Sequence, residues 1–454
     1  MRTVAIHNLG CKVNSYEAES MEQMLVNAGY TMVPFDENVP ADIYIINTCS
    51  VTNIADRKSR QMLHKAKKMN PDAVVIAAGC YVQADAEHVE KDDAVDMIVG
   101  NNMKINIVDA IAQYDADHRK HILMEDLSVK QPYEQLEIDQ VNEHTRAYIK
   151  IQDGCNQFCS YCIIPYTRGR IRSRDMEDVI AEITRLSAKG YKEVVLTGIH
   201  LSSYGLDNGK GSLIEVMEAI EHIDGIERIR LGSLEPRVVT DDFAQRLSKL
   251  SKLCPHFHLS LQSGCDQTLK AMNRKYTCDE YEAACNRLRK FLDNPAITTD
   301  VIVGFPGETE EDFLVTKEYL KKIHFYEMHI FKFSRRKGTV ADTLPNQVDE
   351  KIKTERSNVL ITLEEEMSEE YRRNFIGKSA EVLIEEVSLV NDKEYYCGYT
   401  RNYIRVMIPK HLLDEKMINH GINGMDLKQQ IINHIFTVNC EKLIDGKHMI
   451  GQLK

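Results

Sequence analysis

The chain has 454 residues, 43% hydrophobic and 28% charged, with a formal net charge of -12. That length suits about three globular domains, and the acidity excludes indiscriminate nucleic-acid binding while leaving room for a local basic groove. No stretch approaches the roughly 18 apolar residues of a membrane span, and MRTVAIHNLGCKVN lacks the apolar run of a signal peptide, so a cytoplasmic protein with no membrane partner is expected.

RTVAIHNL reads as a strand, and YEAESMEQMLVNAG carries a helical pattern. IYIINT reads as a buried strand before the helical IADRKSRQMLHKAKKM, and AVVIAAG as a third strand. This alternation predicts a parallel α/β domain of Rossmann or flavodoxin type over residues 1–114. Residues 115–140 are charged, with an acidic stretch at Pro132–Asp139, and read as a linker with an edge strand.

A second series begins near Ala147. AYIKIQDG, EVVLTGIH, RIRLGSLEP, FHLSLQSG, TTDVIVGFPGE and YEMHIFKFS read as strands, separated by helical patterns such as MEDVIAEITRLSAKG. Six βα units over residues 141–373 predict a partial (βα)6 TIM-type barrel with its site at the strands' C-terminal ends. After the helical KTERSNVLITLEEEMSEEYRRNF the pattern turns to short antiparallel strands. Residues 374–454 are therefore expected to form a small β-barrel.

There are twelve cysteines. Without an export signal they point to metal ligands or reactive thiols rather than disulfides. Cys155, Cys159 and Cys162 fall at i, i+4 and i+7 in DGCNQFCSYCIIPYTRGR. One helix face has the same spacing, but Gly154, Asn156 and Pro165 oppose a helix there. Structural zinc wants four protein ligands, and a fourth from elsewhere in the chain is an open alternative. An iron–sulfur cube held by three thiolates leaves one iron free for a small molecule. Cluster potentials reach about -700 mV, low enough to pass an electron to such a ligand. Cys11, Cys49 and Cys80 each follow a strand, in AIHNLGC, YIINTC and VIAAGC. Ligands bind beyond the carboxyl ends of an open α/β sheet, so these thiols are expected to share one crevice. Three independent core cysteines are the alternative. Cys254, Cys265, Cys278, Cys285, Cys397 and Cys440 share no spacing and read as structural.

Cys-x3-Cys-x2-Cys after the first strand of a βα series resembles the radical S-adenosylmethionine (SAM) superfamily. With the second triad added, nearly the whole chain resembles the methylthiotransferases, which join an N-terminal three-cysteine domain, a radical SAM core and a C-terminal TRAM barrel. The motifs carrying the resemblance are GCKVNSYEAE, NTCSVTNIADRKSR, GCNQFCSYCIIPYTRGRIRSR, LTGIHLSSYG, HLSLQSGCDQTLKAMNRKYT, DVIVGFPGETEEDF and FKFSRRKGT. GCKVN, SVTN, LTGIH and SRRKGT are most similar to the subgroup acting on N6-threonylcarbamoyladenosine in tRNA. The isopentenyladenosine subgroup tends to carry GCQMN and GQNVNSYG-like versions.

The resemblance implies two [4Fe-4S] clusters, one on Cys11, Cys49 and Cys80, the other on Cys155, Cys159 and Cys162. It implies that SAM binds the open iron of the second cluster and is cleaved to a 5′-deoxyadenosyl radical. A CH3–S group would be attached to C2 of the adenine just 3′ of the anticodon, with a further SAM supplying the methyl. The implied partners are tRNA, a sulfur source and an external electron donor such as a flavodoxin or ferredoxin. The alternatives are isopentenyladenosine in tRNA, an aspartate of a ribosomal protein, and a non-catalytic iron–sulfur RNA-binding protein.

Gly198, Glu235, Gln262, Arg274 and Gly304 lie at strand ends and are the expected SAM contacts. The glycines would permit close approach, and Arg274 would meet the carboxylate; each also reads as a turn or solvated residue. Arg168, Arg170, Arg172 and Arg174 alternate, so an extended segment would present one basic face to RNA phosphates. Arg335, Arg336 and Lys337 would meet the carboxylate of a threonylcarbamoyl group, or form a solvated loop. Tyr399, Arg401, Tyr403 and Arg405 interleave aromatic and basic side chains suited to stacking bases and gripping backbone.

Overall fold

The computed structural model describes residues 2–139, 145–419 and 426–454. Its first sheet has six parallel strands: β1 (Thr3–Asn8), β2 (Thr31–Met32), β3 (Ile43–Thr48), β4 (Val74–Gly79), β5 (Met97–Val99) and β6 (His121–Leu123), ordered β2-β1-β3-β4-β5-β6. β3 and β4 are buried along their whole length. Both faces of a parallel sheet are covered, so these strands are continuous apolar runs rather than alternating ones. Three helices follow the central strands: α1 (Lys12–Asn27), α2 (Asn53–Met69) and α3 (Cys80–Ala84). α2 starts where Thr52 caps the Ala55 N–H at 3.1 Å. β6, within the expected linker, is the edge strand, and Leu136 and Ile138 of that linker are buried in the core of the next unit. The expected boundary at residues 140–141 lies outside the described residues.

The second unit contains β7 (Arg146–Asp153), β8 (Arg172–Ser173), β9 (Glu193–Gly198), β10 (Arg228–Leu231), β11 (His256–His258), β12 (Ala296–Val303) and β13 (Glu327–Lys332). They form two sheets, β10-β9-β7-β8 and β11-β12-β13. Parallel bridges Ile229–Leu253 and Leu234–Leu259 join the two. All but the short antiparallel β8 are parallel, giving the open six-stranded barrel expected from the sequence. Capping boxes at Thr277/Glu280 and Thr309/Asp312 start two of its outer helices. Tyr281, Leu288, Phe313 and Leu320 on these helices share one core with Val194, Leu196, Val301 and Val303 on the strands.

The third unit is a closed barrel of β14 (Ser379–Val390), β15 (Lys393–Thr400), β16 (Arg405–Pro409), β17 (Ile435–Ile444) and β18 (His448–Leu453), ordered β14-β15-β16-β18-β17. It sits against the N-terminal ends of β7, β10 and β11. Arg228 donates to the Tyr399 and Glu381 carbonyls at 2.9 Å each, and Arg146 pairs with Glu385 at 2.8 Å. Among the described residues no helix is long and apolar enough to cross a membrane.

Candidate active site

Cys11, Cys49 and Cys80 stand just beyond β1, β3 and β4, which are neighbours in the sheet. Cys49 lies within electrostatic reach of both Cys11 and Cys80, so the three thiols share one crevice. Gly79 delivers the last of them. Its φ is +96°, and a Cβ there would lie 2.8 Å from both the Asn47 side chain and the Thr48 carbonyl. Gly79→Ala is therefore strained twice over, by backbone and by contact. We expect this variant, reconstituted with iron and sulfide, to drop from about eight to about four irons per chain. A full iron complement would show that Cys80 is not held by this turn.

The second triad follows β7 through Gly154 (φ +70°), where a Cβ would lie 1.9 Å from the Arg170 carbonyl. The loop is pinned from the segment after β11. The Ser160 hydroxyl donates to the Ala271 carbonyl at 2.9 Å, and the Asn273 amide to the Phe158 carbonyl at 2.8 Å. The latter holds Phe158 at φ +49°, an unfavourable conformation for a bulky residue. The Cys155 N–H donates to the Gly169 carbonyl at 3.0 Å.

Desolvation by the surrounding crevice raises the pKa of Cys11, although that residue is exposed at the surface; burial pushes Cys49 and Cys155 up to about 11 and Cys162 up to about 12. Such thiols ionise when a metal supplies the field. Sulfurs around one zinc ion would lie about 3.8 Å apart. Among the described residues neither triad brings three ligand atoms within 4.8 Å of one another, so each is too open for a single tetrahedral ion. The surroundings also fit an anionic cluster. Arg168 Nε lies 3.3 Å from Cys80 Sγ. Arg168, Lys104, Lys150 and Arg172 enclose Glu17 and Asp153 at 2.7–3.4 Å, all fully or almost fully buried. Glu134 nearby is pushed by burial toward its neutral form. Four cations thus face two carboxylates beside the thiols, and thiolates would neutralise the excess.

Arg274 is the corresponding cation at the second triad. Its Nη1 lies 3.2 Å from Cys159 Sγ, its Nη2 3.3 Å from the Ser260 carbonyl and its Nε 2.9 Å from the Tyr276 hydroxyl. Among the described residues it has no carboxylate partner, which suits an incoming carboxylate or a ligated thiolate. Glu235 is buried close by and held by Arg237 at 2.6 Å. Gln262 is buried too, with φ +76°. The space beside Gly198 is filled by Gln152, and that beside Gly304 by the Lys353 stem; both glycines make room for protein side chains. LTGIH also supplies His200, whose Nε2 is buried without a hydrogen-bond partner among the described residues. Burial pushes its pKa down to about 4, leaving a neutral imidazole within reach of Glu235 and Arg274. No spacing rule marks such a residue.

The expected RNA face needs correction. Arg168, Arg172 and Arg174 are buried, and Arg174 pairs with Glu182 at 2.5 Å and with the Tyr16 hydroxyl at 3.1 Å. They turn inward because buried carboxylates await them: Glu17 of α1 and Asp153 of β7 for Arg168 and Arg172, and Glu182 of the helix Met176–Ala188 for Arg174. Arg170 is half-buried over the Phe158 ring. Arg336 is also buried, bonded to Asp56 and Ser50 of the first unit, so it is not a free loop cation. Arg335 is exposed beside Asp342, and Lys337 is exposed. Tyr399, Tyr403 and Arg401 lie at the seam between the two barrels rather than on an open surface. Tyr403 stacks on Tyr399 and His256, and Arg401 donates to the Ser251 carbonyl at 2.6 Å. Arg405 pairs with Glu386 on the small barrel's surface.

Residues 149–320 match the radical SAM superfamily, and residues 3–100 match the uncharacterized protein family UPF0004. A radical SAM methyltransferase structure, TsrM from Kitasatospora setae, superposes with a TM-score of 0.57 over 75% of this chain and 74% of that one, at 14% identity. A barrel of the radical SAM fold carrying two separate thiol triads is the class this architecture defines. Threonylcarbamoyladenosine tRNA methylthiotransferase MtaB of Bacillus subtilis is 40% identical over 90% of each chain. MtaB of Thermotoga maritima is 38% identical over 89% of this chain and 91% of its own. A tRNA-2-methylthio-N(6)-dimethylallyladenosine synthase of Acetivibrio thermocellus is 37% identical over 92% of this chain and 88% of its own. The chain belongs to the tRNA methylthiotransferase family.

Proposed function

We propose that the protein attaches a methylthio group to C2 of N6-threonylcarbamoyladenosine beside the anticodon of tRNA. One observation carries this reading beyond family membership. Two consecutive residues touch both triads: Arg168 reaches Cys80, and the Gly169 carbonyl accepts from Cys155. Two cluster sites joined this closely suit a reaction that activates a carbon at one and delivers sulfur from the other. Adenine C2–H is unactivated, and acid–base groups have little purchase on it.

In this reading Cys155, Cys159 and Cys162 hold the cluster that takes SAM, and Cys11, Cys49 and Cys80 hold the one that carries sulfur. When bound, the clusters and SAM supply one-electron chemistry and the methyl group. The chain supplies alignment and charge. Arg274 sets a cation at the first site, for a carboxylate. Glu235 and Gln262 offer acceptors and donors from strand ends. Arg168 balances thiolate charge at the second site. Arg170, Arg335, Lys337 and Arg405, which keep some access to water, meet RNA phosphates. The sulfur source and a flavodoxin- or ferredoxin-like electron donor come from outside the chain, in the cytoplasm.

The test is mass spectrometry of nucleosides from tRNA carrying both threonylcarbamoyl- and isopentenyladenosine. The tRNA is incubated anaerobically with reconstituted protein, SAM, sulfide and reductant. A methylthio addition on the threonylcarbamoyl nucleoside alone is expected. Addition on the isopentenyl nucleoside alone would overturn the substrate assignment and keep the chemistry.

A further inference from the structure

Three polar side chains in the barrel have no role in the reading above. His258 ends β11, Asp300 lies in β12 and His329 in β13. One ligand-type atom from each lies within 4.8 Å of the others. His258 Nε2 is 3.3 Å from Asp300 Oδ2, and its Nδ1 is 3.1 Å from the Thr298 hydroxyl. The two imidazoles are stacked, 5.8 Å between centroids. His329 is exposed and has no hydrogen bond to any described residue.

Strand alternation shows which way they face. Val301 and Val303 point to the helices and join the main core. Asp300 and Ile302 therefore share the opposite face. Ile302 packs with Tyr161 of the cysteine loop against Phe305 and Phe333, so this face looks toward the second triad. In register, Asp300 pairs with His329 and Ile302 with Phe331. Phe331 is 49% exposed on the same face. An apolar platform thus lies nearer the cysteine loop, and a polar group lies two residues deeper, about 6.6 Å away at about 3.3 Å per residue.

We propose that Phe331 with Ile302 takes the face of the target adenine, and that His258, Asp300 and His329 take its polar N6 substituent. This rests on the function proposed above and adds the source of substrate choice. A threonylcarbamoyl group carries a carboxylate and a urea carbonyl that imidazole N–H groups can serve. It also carries N–H and hydroxyl donors that Asp300 can accept. An isopentenyl group carries none; seating it here would cut His329 off from water without a partner and leave His258 and Asp300 only each other and Thr298. Sites built on such hydrogen bonds reject analogues lacking them far more strongly than apolar pockets reject an extra group.

The test uses anticodon stem-loop RNAs bearing threonylcarbamoyl- or isopentenyladenosine, with full-length reconstituted enzyme. Wild type should prefer the former. His329→Phe should raise the binding Kd for the threonylcarbamoyl RNA about 10- to 100-fold and leave the Kd for the isopentenyl RNA unchanged or lower. His329→Gln should recover part of the loss, and Phe331→Ala should weaken binding of both RNAs. Iron content and the reduced-cluster electron paramagnetic resonance spectrum should match wild type in each variant. Equal Kd changes for both RNAs in His329→Phe, or none, would overturn the proposal while the methylthiotransferase reading stands. Wild type that modifies neither RNA would sink that reading, and this inference with it.

Discussion

Cys159→Ala loses reductive SAM cleavage entirely, and Cys49→Ala keeps a measurable part of it while losing sulfur insertion. This outcome is expected because the triads occupy different units and have different neighbours. Cys159 is the thiol that Arg274 touches at 3.2 Å. Removing it takes away the partner of a buried cation and, in the proposed reading, a cluster ligand. Cys49 lies beyond β3, bonded locally through Ser59, and its loss leaves the barrel loop and its contacts with residues 271–273 in place. The measurement is 5′-deoxyadenosine released per chain under reductant, beside methylthio-nucleoside formed. Methylthio-nucleoside should fall to background in both variants, a loss of about 10³-fold or more, since enzymes typically accelerate their reactions by at least about 10⁶-fold. Equal loss of both activities in Cys49→Ala would sink the division of labour between the triads.

Glu17→Gln is the second large effect, and its readout is stability. Glu17 sits in α1 with Lys104, Lys150 and Arg168 at 2.7–3.0 Å, from three separate segments of chain. Removing one partner of a buried ion network leaves uncompensated charge, at a cost of about 3–5 kcal/mol. The denaturant midpoint should fall accordingly, and Arg168→Met added to Glu17→Gln should cost less than the sum of the single changes. The same network sets acid sensitivity. Its neighbouring cations hold the Glu17 and Asp153 carboxyls well below the usual carboxylate range. The folded pKa lies below the unfolded one, so this stabilisation is complete above the unfolded value of about 4. It is lost as pH falls from there toward the folded value. Acid unfolding of wild type should be steeper than that of Glu17→Gln. Identical acid profiles would remove Glu17 from the account.

Both cysteine triads were legible because local cues carry them: a tight spacing flanked by helix breakers, and three cysteines at equivalent strand ends. The six parallel barrel strands were legible for a similar reason, since apolar runs alternate with helical periodicity. The arginines of TRGRIRSR were not. Alternation shows which side chains share a face but not whether water or a carboxylate covers it, and Glu17 is 151 residues from Arg168. Tyr403 misled in the same way, because its stacking partner His256 comes from another unit. His258, Asp300 and His329 gave no signal at all. They are drawn from three strands, and only the register of those strands places them together.

Arg336 follows the last barrel strand, yet its partner Asp56 belongs to the first unit, 280 residues earlier. A ribosome adding about 5–20 residues per second needs roughly 14–56 s to cover that distance. The first sheet therefore emerges, and its three thiols with it, well before the latch that fastens it to the barrel. During that interval Ser50 and Asp56, beside Cys49, are without their arginine, and the crevice is open to whatever machinery delivers iron and sulfide. A finished, latched protein should accept its first cluster more slowly than one still being made.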